Sequence, residues 1–433
     1  MQQSNLFAKL LRGTGAALVI QIVSTVVLYG TQVLLARWMG TAEYGLYDYA
    51  ITVGISLAFL AGFGLPTAVL RFISAYTAQQ DWAHLRGIIR GSWQQTLGVS
   101  VAISLGGTAV LGWLNQAQSL GAYTVPVLVG IWTTPMVALV SLQREIVRGF
   151  QKIALAYAPS MIMQPLLLIG MAAGWQVRRA LTSEVAIALS MIAALVALTL
   201  QWLLFQRNLA VKIRTVRPAY AIAQWWKTAL PLMLFSGSHM VLSQTDTLMI
   251  GILLNAKQVG IYSAALKTAS WVPFILISVN AISAPLIASL YAQGDRQGFQ
   301  QLISTLAQWM FYPALLTAIG LVGLASPVLH LFGPEFVAAK SALVILILGQ
   351  LVNVGAGSVG YLMTMTGHQT QSALVMGASA GVNLVLNLIG IHLFGILGAA
   401  LATALSMALW NVWLYRLVVR QLGVHPSIID AFR

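Results

Sequence analysis

The chain has 433 residues, 59% of them hydrophobic and only 7% charged, with no cysteine and a formal net charge of +14. That much apolar surface exceeds what one or two soluble cores bury, which makes a soluble fold the weakest reading. The missing cysteines exclude disulfides, thiolate zinc sites, iron–sulfur clusters and thiol nucleophiles, and the basic excess falls in short loops, not in a nucleic-acid-binding domain.

Runs of about 20 residues with almost no charge recur along the whole length, each able to cross about 30 Å of hydrocarbon as a helix. They predict an all-α polytopic membrane protein with about twelve transmembrane helices. In chain order the spans are 15–36, 49–75, 92–113, 122–143, 157–174, 185–205, 229–252, 260–288, 303–325, 341–363, 372–392 and 396–418. They are too long and too uniformly apolar for barrel strands. The first run has no small-residue cleavage site behind it and reads as a retained span, not a signal peptide.

Short loops rich in Lys and Arg stay cytoplasmic. With the N-terminus inside, that side collects Lys9, Arg12, Arg86, Arg90, Arg144, Arg148, Lys152, Arg207, Lys212, Arg214, Arg217, Lys227, Arg296, Arg416, Arg420 and Arg433. The other side holds only Arg37, Arg178, Arg179, Lys257 and Lys340. The bias predicts both termini on the cytoplasmic face of the membrane. The stretch 207–228 reads as a linker lying in the cytoplasmic interface or as a solvated loop, with Trp225 and Trp226 as anchors.

Three landmarks repeat in order. Gly45-Leu46-Tyr47 matches Gly260-Ile261-Tyr262, Gly149-Phe150-Gln151 matches Gly367-His368-Gln369, and the run from Ala186 to Met191 matches that from Ala402 to Met407. The offsets are 215, 218 and 216. Two lobes follow, 1–206 and 229–433, as two parallel six-helix repeats around a central cavity. That is transporter architecture.

No HExxH, no GxxxxGK and no long extramembrane segment for a soluble active site is present, so no catalytic residue, cofactor or metal site is expected. Ionisable groups inside a membrane are costly and mark pathways or partners. His239, Gln244 and Asp246 lie in the seventh span, and Lys267 in the eighth at a depth like that of Asp246. Asp246 and Lys267 are expected to approach across the hairpin, either as a neutralising pair or as a pair broken by substrate or a coupling cation. His239 is a packing residue or a proton carrier. Arg71 snorkels or meets a phosphate, and Arg148 is a positive-inside anchor or a headgroup contact. Pro66 and Pro285 occupy similar places in the second and eighth spans, as gating kinks or packing kinks.

The stretch from Leu34 to Tyr47, LLARWMGTAEYGLY, resembles the first helix end and outer loop of polysaccharide and O-antigen flippases. Asp246 through Tyr262, Phe332-Gly333-Pro334-Glu335-Phe336 and Gly395-Ile396-Leu397-Gly398-Ala399-Ala400 resemble later signatures of that family, and the resemblance runs nearly end to end. It implies the fold shared with multidrug and toxin exporters and with the lipid II flippase. It also implies a substrate, undecaprenyl-diphosphate-linked oligosaccharide, moved by alternating access with coupling to protons or sodium ions. The bilayer and other polysaccharide-assembly membrane proteins are the remaining partners to expect, and nucleic acid is not one. A cation-coupled multidrug exporter of the same fold is the alternative, and a membrane polysaccharide polymerase or ligase the second.

Overall fold

The computed structural model describes the chain except residues 1, 118–120, 208, 210–212, 214 and 431–433, and the side chains of 2–18, 234, 235, 281, 282, 284 and 285. Lys212, Arg214, Arg433 and the side chains of Lys9, Arg12 and Pro285 therefore lie outside the described residues. The regular structure among the described residues is helical, without strands. The chain divides into two compact units, Met1–Gly237 and Ser238–Arg433.

The first unit holds α1 (Gln2–Gly62), α2 (Leu65–Ala78), α3 (Trp82–Ala117), α4 (Thr124–Gly149), α5 (Ile153–Ala158), α6 (Gln164–Gln176), α7 (Ser183–Arg207) and the start of α8 (Ile222–Leu253). The apolar part of α1, Val19–Gly62, has 44 residues. At 1.5 Å per residue that is about 66 Å, twice a hydrocarbon core. Gly40, at φ 75°, breaks it, so the first two expected spans share one helix and meet there. The second span breaks again at Phe63 and Gly64, both in the left-handed region. Pro66 follows in the first turn of α2, where its missing N–H costs nothing. The bend thus comes from the two residues ahead of Pro66, and the proline starts the next helix.

The described part of the expected linker is docked onto this unit. Ala219 N–H donates to Ala83 at 3.0 Å, and Arg86 donates to the Val216 carbonyl at 2.5 Å. Trp225 is fully buried among Phe72, Tyr76, Leu85 and Ile88, with its indole N–H on the Tyr76 hydroxyl at 3.2 Å. An indole expected at a lipid interface is therefore a core side chain.

The second unit continues α8 and adds α9 (Ala256–Ala269), α10 (Phe274–Gln293), α11 (Arg296–Gly323), α12 (Ala325–Phe332), α13 (Lys340–Gly355), α14 (Val359–Met365), α15 (Gln369–Phe394) and α16 (Ile396–Leu422). Asn255 and Asp295 cap α9 and α11 by accepting from the backbone N–H groups of Gln258 and Gly298. The eighth expected span is bent by 49° at residues 270–273, between α9 and α10. Pro285 lies further along, inside α10.

Among the described residues nine helices are long and apolar enough to cross a membrane, ten if α9 and the start of α10 count as one bent span. The expected twelve exceed this because the first two spans share α1 and the seventh lies on α8, which contains residues outside the description. The protein is a multi-pass membrane protein.

Candidate functional site

The site grows from the hairpin of α8 and α9. Asp246 sits seven residues before Leu253, the last residue of α8, and is 2% exposed. A carboxylate accepts hydrogen bonds only, and burying one away from water requires donors or a cation. Tyr262 of α9 donates its hydroxyl to Oδ2 at 2.5 Å. Thr403 of α16 donates to the same oxygen. Asn387 of α15 donates to Oδ1 at 2.9 Å. Four helices of the second unit therefore meet at one carboxylate.

A second layer supports the first. The Asn387 amide also reaches the Asn383 carbonyl and side chain at 3.1 and 3.2 Å, and Asn383 donates to Ser406 at 3.2 Å. Ser379, Asn383 and Asn387 recur at every fourth position, so they form one buried stripe of α15. The Ser379 hydroxyl and the Asn387 side-chain oxygen are buried without a hydrogen-bond partner. Carboxylate, amide and hydroxyl oxygens are hard ligands, suited to a proton or a small hard cation and poorly suited to a soft transition metal. Among the described residues no cluster of three or more His, Cys, Asp and Glu offers a metal site.

Lys267 is not a partner of Asp246, whose hydrogen bonds go to Tyr262, Thr403 and Asn387. Tyr262 already faces Asp246, and Lys267 follows five residues later, about 140° further around α9. Equal depth did not fix the side of the helix. Lys267 ends half-buried in the last turn of α9. Gln244 is half-buried and His239 exposed, two turns before Asp246 on α8. Arg71 is exposed on α2. Arg148 pairs with Glu145 at 3.0 Å, and Arg144 approaches the same carboxylate at 3.5 Å. Glu145 partly neutralises that basic cluster. Asn383 and Asn387, polar residues at spacing four in an apolar span, are a signal, visible in the sequence, of a buried stripe, whereas Thr403 on α16 carries no such mark.

The repeat sharpens the asymmetry between the units. Tyr47 and Ser190 stand where Tyr262 and Ser406 stand in the second unit, and their hydroxyls meet at 3.3 Å. The position matching Asp246 is Thr31, buried and bonded to the Val27 carbonyl of its own helix. Only the second unit places a carboxylate there.

Residues 10–291, more than half of the chain, match the family described as Polysaccharide biosynthesis protein, and residues 231–389 match the family described as MatE. Two relatives from Haloferax volcanii are similar over part of their length. "Probable low-salt glycan biosynthesis flippase Agl15" is 29% identical over 39% of this chain and 36% of its own. "Probable flippase AglR" is 26% identical over 44% of this chain and 40% of its own. The chain thus spans well under half the length of these two relatives. Among solved structures, an inward-facing multidrug resistance MATE family transporter superposes with a TM-score of 0.71 at 13% identity, covering 94% of this chain and 98% of the other. Lipid II flippase MurJ, in an inward closed conformation, gives 0.68 at 15% identity, covering 96% and 88%. These likenesses establish the fold, and the family match places the chain: it is a multi-pass membrane protein of the polysaccharide biosynthesis protein family.

Proposed function

We propose that the protein is a flippase that moves undecaprenyl-diphosphate-linked oligosaccharide from the cytoplasmic to the outer leaflet of the bacterial inner membrane by alternating access, coupled to a proton or sodium gradient through Asp246. Family membership supports the substrate class, together with relatives whose names describe glycan flippases. The buried carboxylate with three converging donors is the observation that carries the coupling.

The chemistry follows from counting donors. An ionised carboxylate offers about four lone-pair sites, and Tyr262 and Thr403 take the two on Oδ2 while Asn387 takes one on Oδ1, so a proton either fills the remaining site on Oδ1 or displaces a hydroxyl from Oδ2. Hydroxyls of Tyr262 and Thr403 rotate at little cost. A bound cation would displace the same hydrogens, with the orphaned Asn387 oxygen as a further ligand. Either event changes what α9, α15 and α16 hold in common, which is the differential interaction that a coupling ion needs. Lys267, Arg71, Arg148 and Gln244 are the candidate contacts for the anionic headgroup and glycan, and His239 a second candidate for proton transfer. Bending at Phe63–Pro66 and at residues 270–273 supplies the gating movement, with Pro285 further along α10.

The test is translocation of a fluorescent undecaprenyl-diphosphate oligosaccharide in proteoliposomes, with and without an imposed proton or sodium gradient. Protein-dependent, gradient-accelerated movement is expected, and Asp246→Asn should retain binding but lose the gradient dependence. Export of organic cations is the second reading, supported by the MatE match and by the MATE-like fold. Uptake of an organic cation dye without glycan movement would select it.

A further inference from the structure

One exposed face of α16 carries a feature that neither the carboxylate cluster nor the glycan reading uses. Leu409, Val412, Trp413, Arg416, Leu417 and Arg420 line one shallow groove of about 360 Å³. Their spacing of three and four puts all six on a single face. Val412, Trp413, Arg416 and Arg420 are exposed. Among the described residues, neither guanidinium makes a hydrogen bond or an ion pair. Other basic residues are engaged: Arg148 with Glu145 and Arg86 with the Val216 carbonyl. The nearest acid in the chain, Asp430, is taken by the hydroxyls of Tyr415 and Ser427 at 2.7 and 2.5 Å.

Depth gives the groove its meaning. Arg416 lies 20 residues after Ile396, the first residue of α16. That is about 30 Å along the axis, the thickness of the hydrocarbon core, so the two guanidiniums reach headgroup level. Leu409 and Val412 stay at acyl-chain level, and Trp413 lies between, where indoles anchor. Side chains four apart on a helix face sit about 6 Å from one another, close enough to bracket a single phosphate.

We infer that this face of α16 is a binding site for one anionic phospholipid, with its phosphodiester between Arg416 and Arg420 and an acyl chain along Trp413, Val412 and Leu409. Two unpaired positive charges at headgroup depth select a lipid of net negative charge over a zwitterionic one, whose ammonium group they repel. Guanidiniums that merely extend toward water from a helix end would show no such preference and no fixed stoichiometry.

The experiment is native mass spectrometry of the whole detergent-solubilised protein titrated with phosphatidylglycerol or phosphatidylcholine. Saturable binding of phosphatidylglycerol is expected, weaker by about thirtyfold in R416Q/R420Q, since each basic residue at a bilayer surface contributes about fivefold. R179Q, at an exposed arginine in the loop before α7, should bind as the unaltered protein does. If the double variant does not fold, R416Q and R420Q singly should each show about a fivefold loss. Equal binding of the two lipids, or unchanged binding in variants that fold, overturns the site and leaves snorkelling arginines.

Discussion

Tyr262 donates its phenolic hydroxyl to Asp246 at 2.5 Å, and the two residues come from opposite arms of the α8–α9 hairpin. The contact binds the repeat landmark Gly260-Ile261-Tyr262 to the acid that only the second unit carries. A hydrogen bond to a buried charged acceptor is worth about 1.5–3 kcal/mol. Tyr262→Phe should therefore lower the thermal midpoint in detergent by an amount corresponding to about 2 kcal/mol. It should also alter the gradient dependence of transport more than its basal rate. A variant with unchanged midpoint and unchanged coupling would remove Tyr262 from the site.

Asn387 tests the same site from α15. Asn387→Leu removes the donor at 2.9 Å and the orphaned oxygen together. Asn387→Asp would keep an oxygen and add a charge. If a cation occupies the cluster, its apparent affinity should fall at least tenfold in the leucine variant, an order set by losing one ligand and one fixed dipole. The aspartate variant should bind more tightly at neutral pH. Sodium-dependent tryptophan fluorescence of the purified protein, compared with the proton dependence, measures both.

The helical fold, the repeat and the buried acid were legible in the sequence because each leaves a linear trace: hydropathy, spacing and a rare charge. Contacts around the acid were less so. Lys267 shares the depth of Asp246, yet facing is set by rotation about α9, and Tyr262 already occupies the facing position. Trp225 beside a basic stretch looks like an interfacial anchor, and only the approach of residues 216–229 to α3 shows it in a core. Proline drew attention to Pro66 and Pro285, whereas the breaks sit at Phe63–Gly64 and at residues 270–273. Chain breaks are set by backbone angles that proline does not always mark.

Docking of the linker predicts an unusual sensitivity at one glycine. A Cβ on Gly87 would overlap the backbone carbonyl of Ala219, which cannot swing aside as a side chain can. Gly87→Ala should cost about 1–3 kcal/mol, the range for overpacking, despite the better helix propensity of alanine. Gly98, further along α3, has nothing within 4 Å of the same atom. Gly98→Ala should be neutral or stabilising by up to about 1 kcal/mol. Thermal midpoints of the pair decide whether residues 216–219 really lie against α3.

Asp81 caps α3 by accepting from the His84 N–H at 3.1 Å and from its ring at 2.7 Å. The backbone N–H, followed by the ring, holds its carboxyl below the ordinary carboxylate value. A lowered native value stabilises the folded state above the unfolded pKa, and the benefit is lost as pH falls through the native one. The cap therefore weakens from about pH 4 downward, starting at the ordinary aspartate value. Exposure to solvent keeps the effect small. Asp81→Ala should lower stability by about 1 kcal/mol at neutral pH, and the difference from the unaltered protein should vanish in acid.

The chain after α16 folds back as a strap across the ends of the second unit's helices, and its hydrogen bonds name the residues that hold it. Ile428 N–H donates to the Gly355 carbonyl at 3.0 Å. The Gln300 side chain and the His425 backbone exchange two bonds, at 3.0 and 2.8 Å. Asp430 receives the hydroxyls of Tyr415 and Ser427. Because α13 ends at Gly355 and α14 begins at Val359, the strap spans the break within the tenth expected span. Asp430→Ala removes both hydroxyl contacts at a cost of about 1–3 kcal/mol. If the strap opens as a local unit, that cost appears as exchange of the Ile428 and His425 amides about tenfold faster or more, with little change in the cores of α15 and α16. Gly357 offers an independent check. It has φ 77°, and a Cβ there would overlap the Pro426 carbonyl, so Gly357→Ala should accelerate the same amides. Acceleration spread evenly over the second unit would mean instead that the strap is part of its cooperative core.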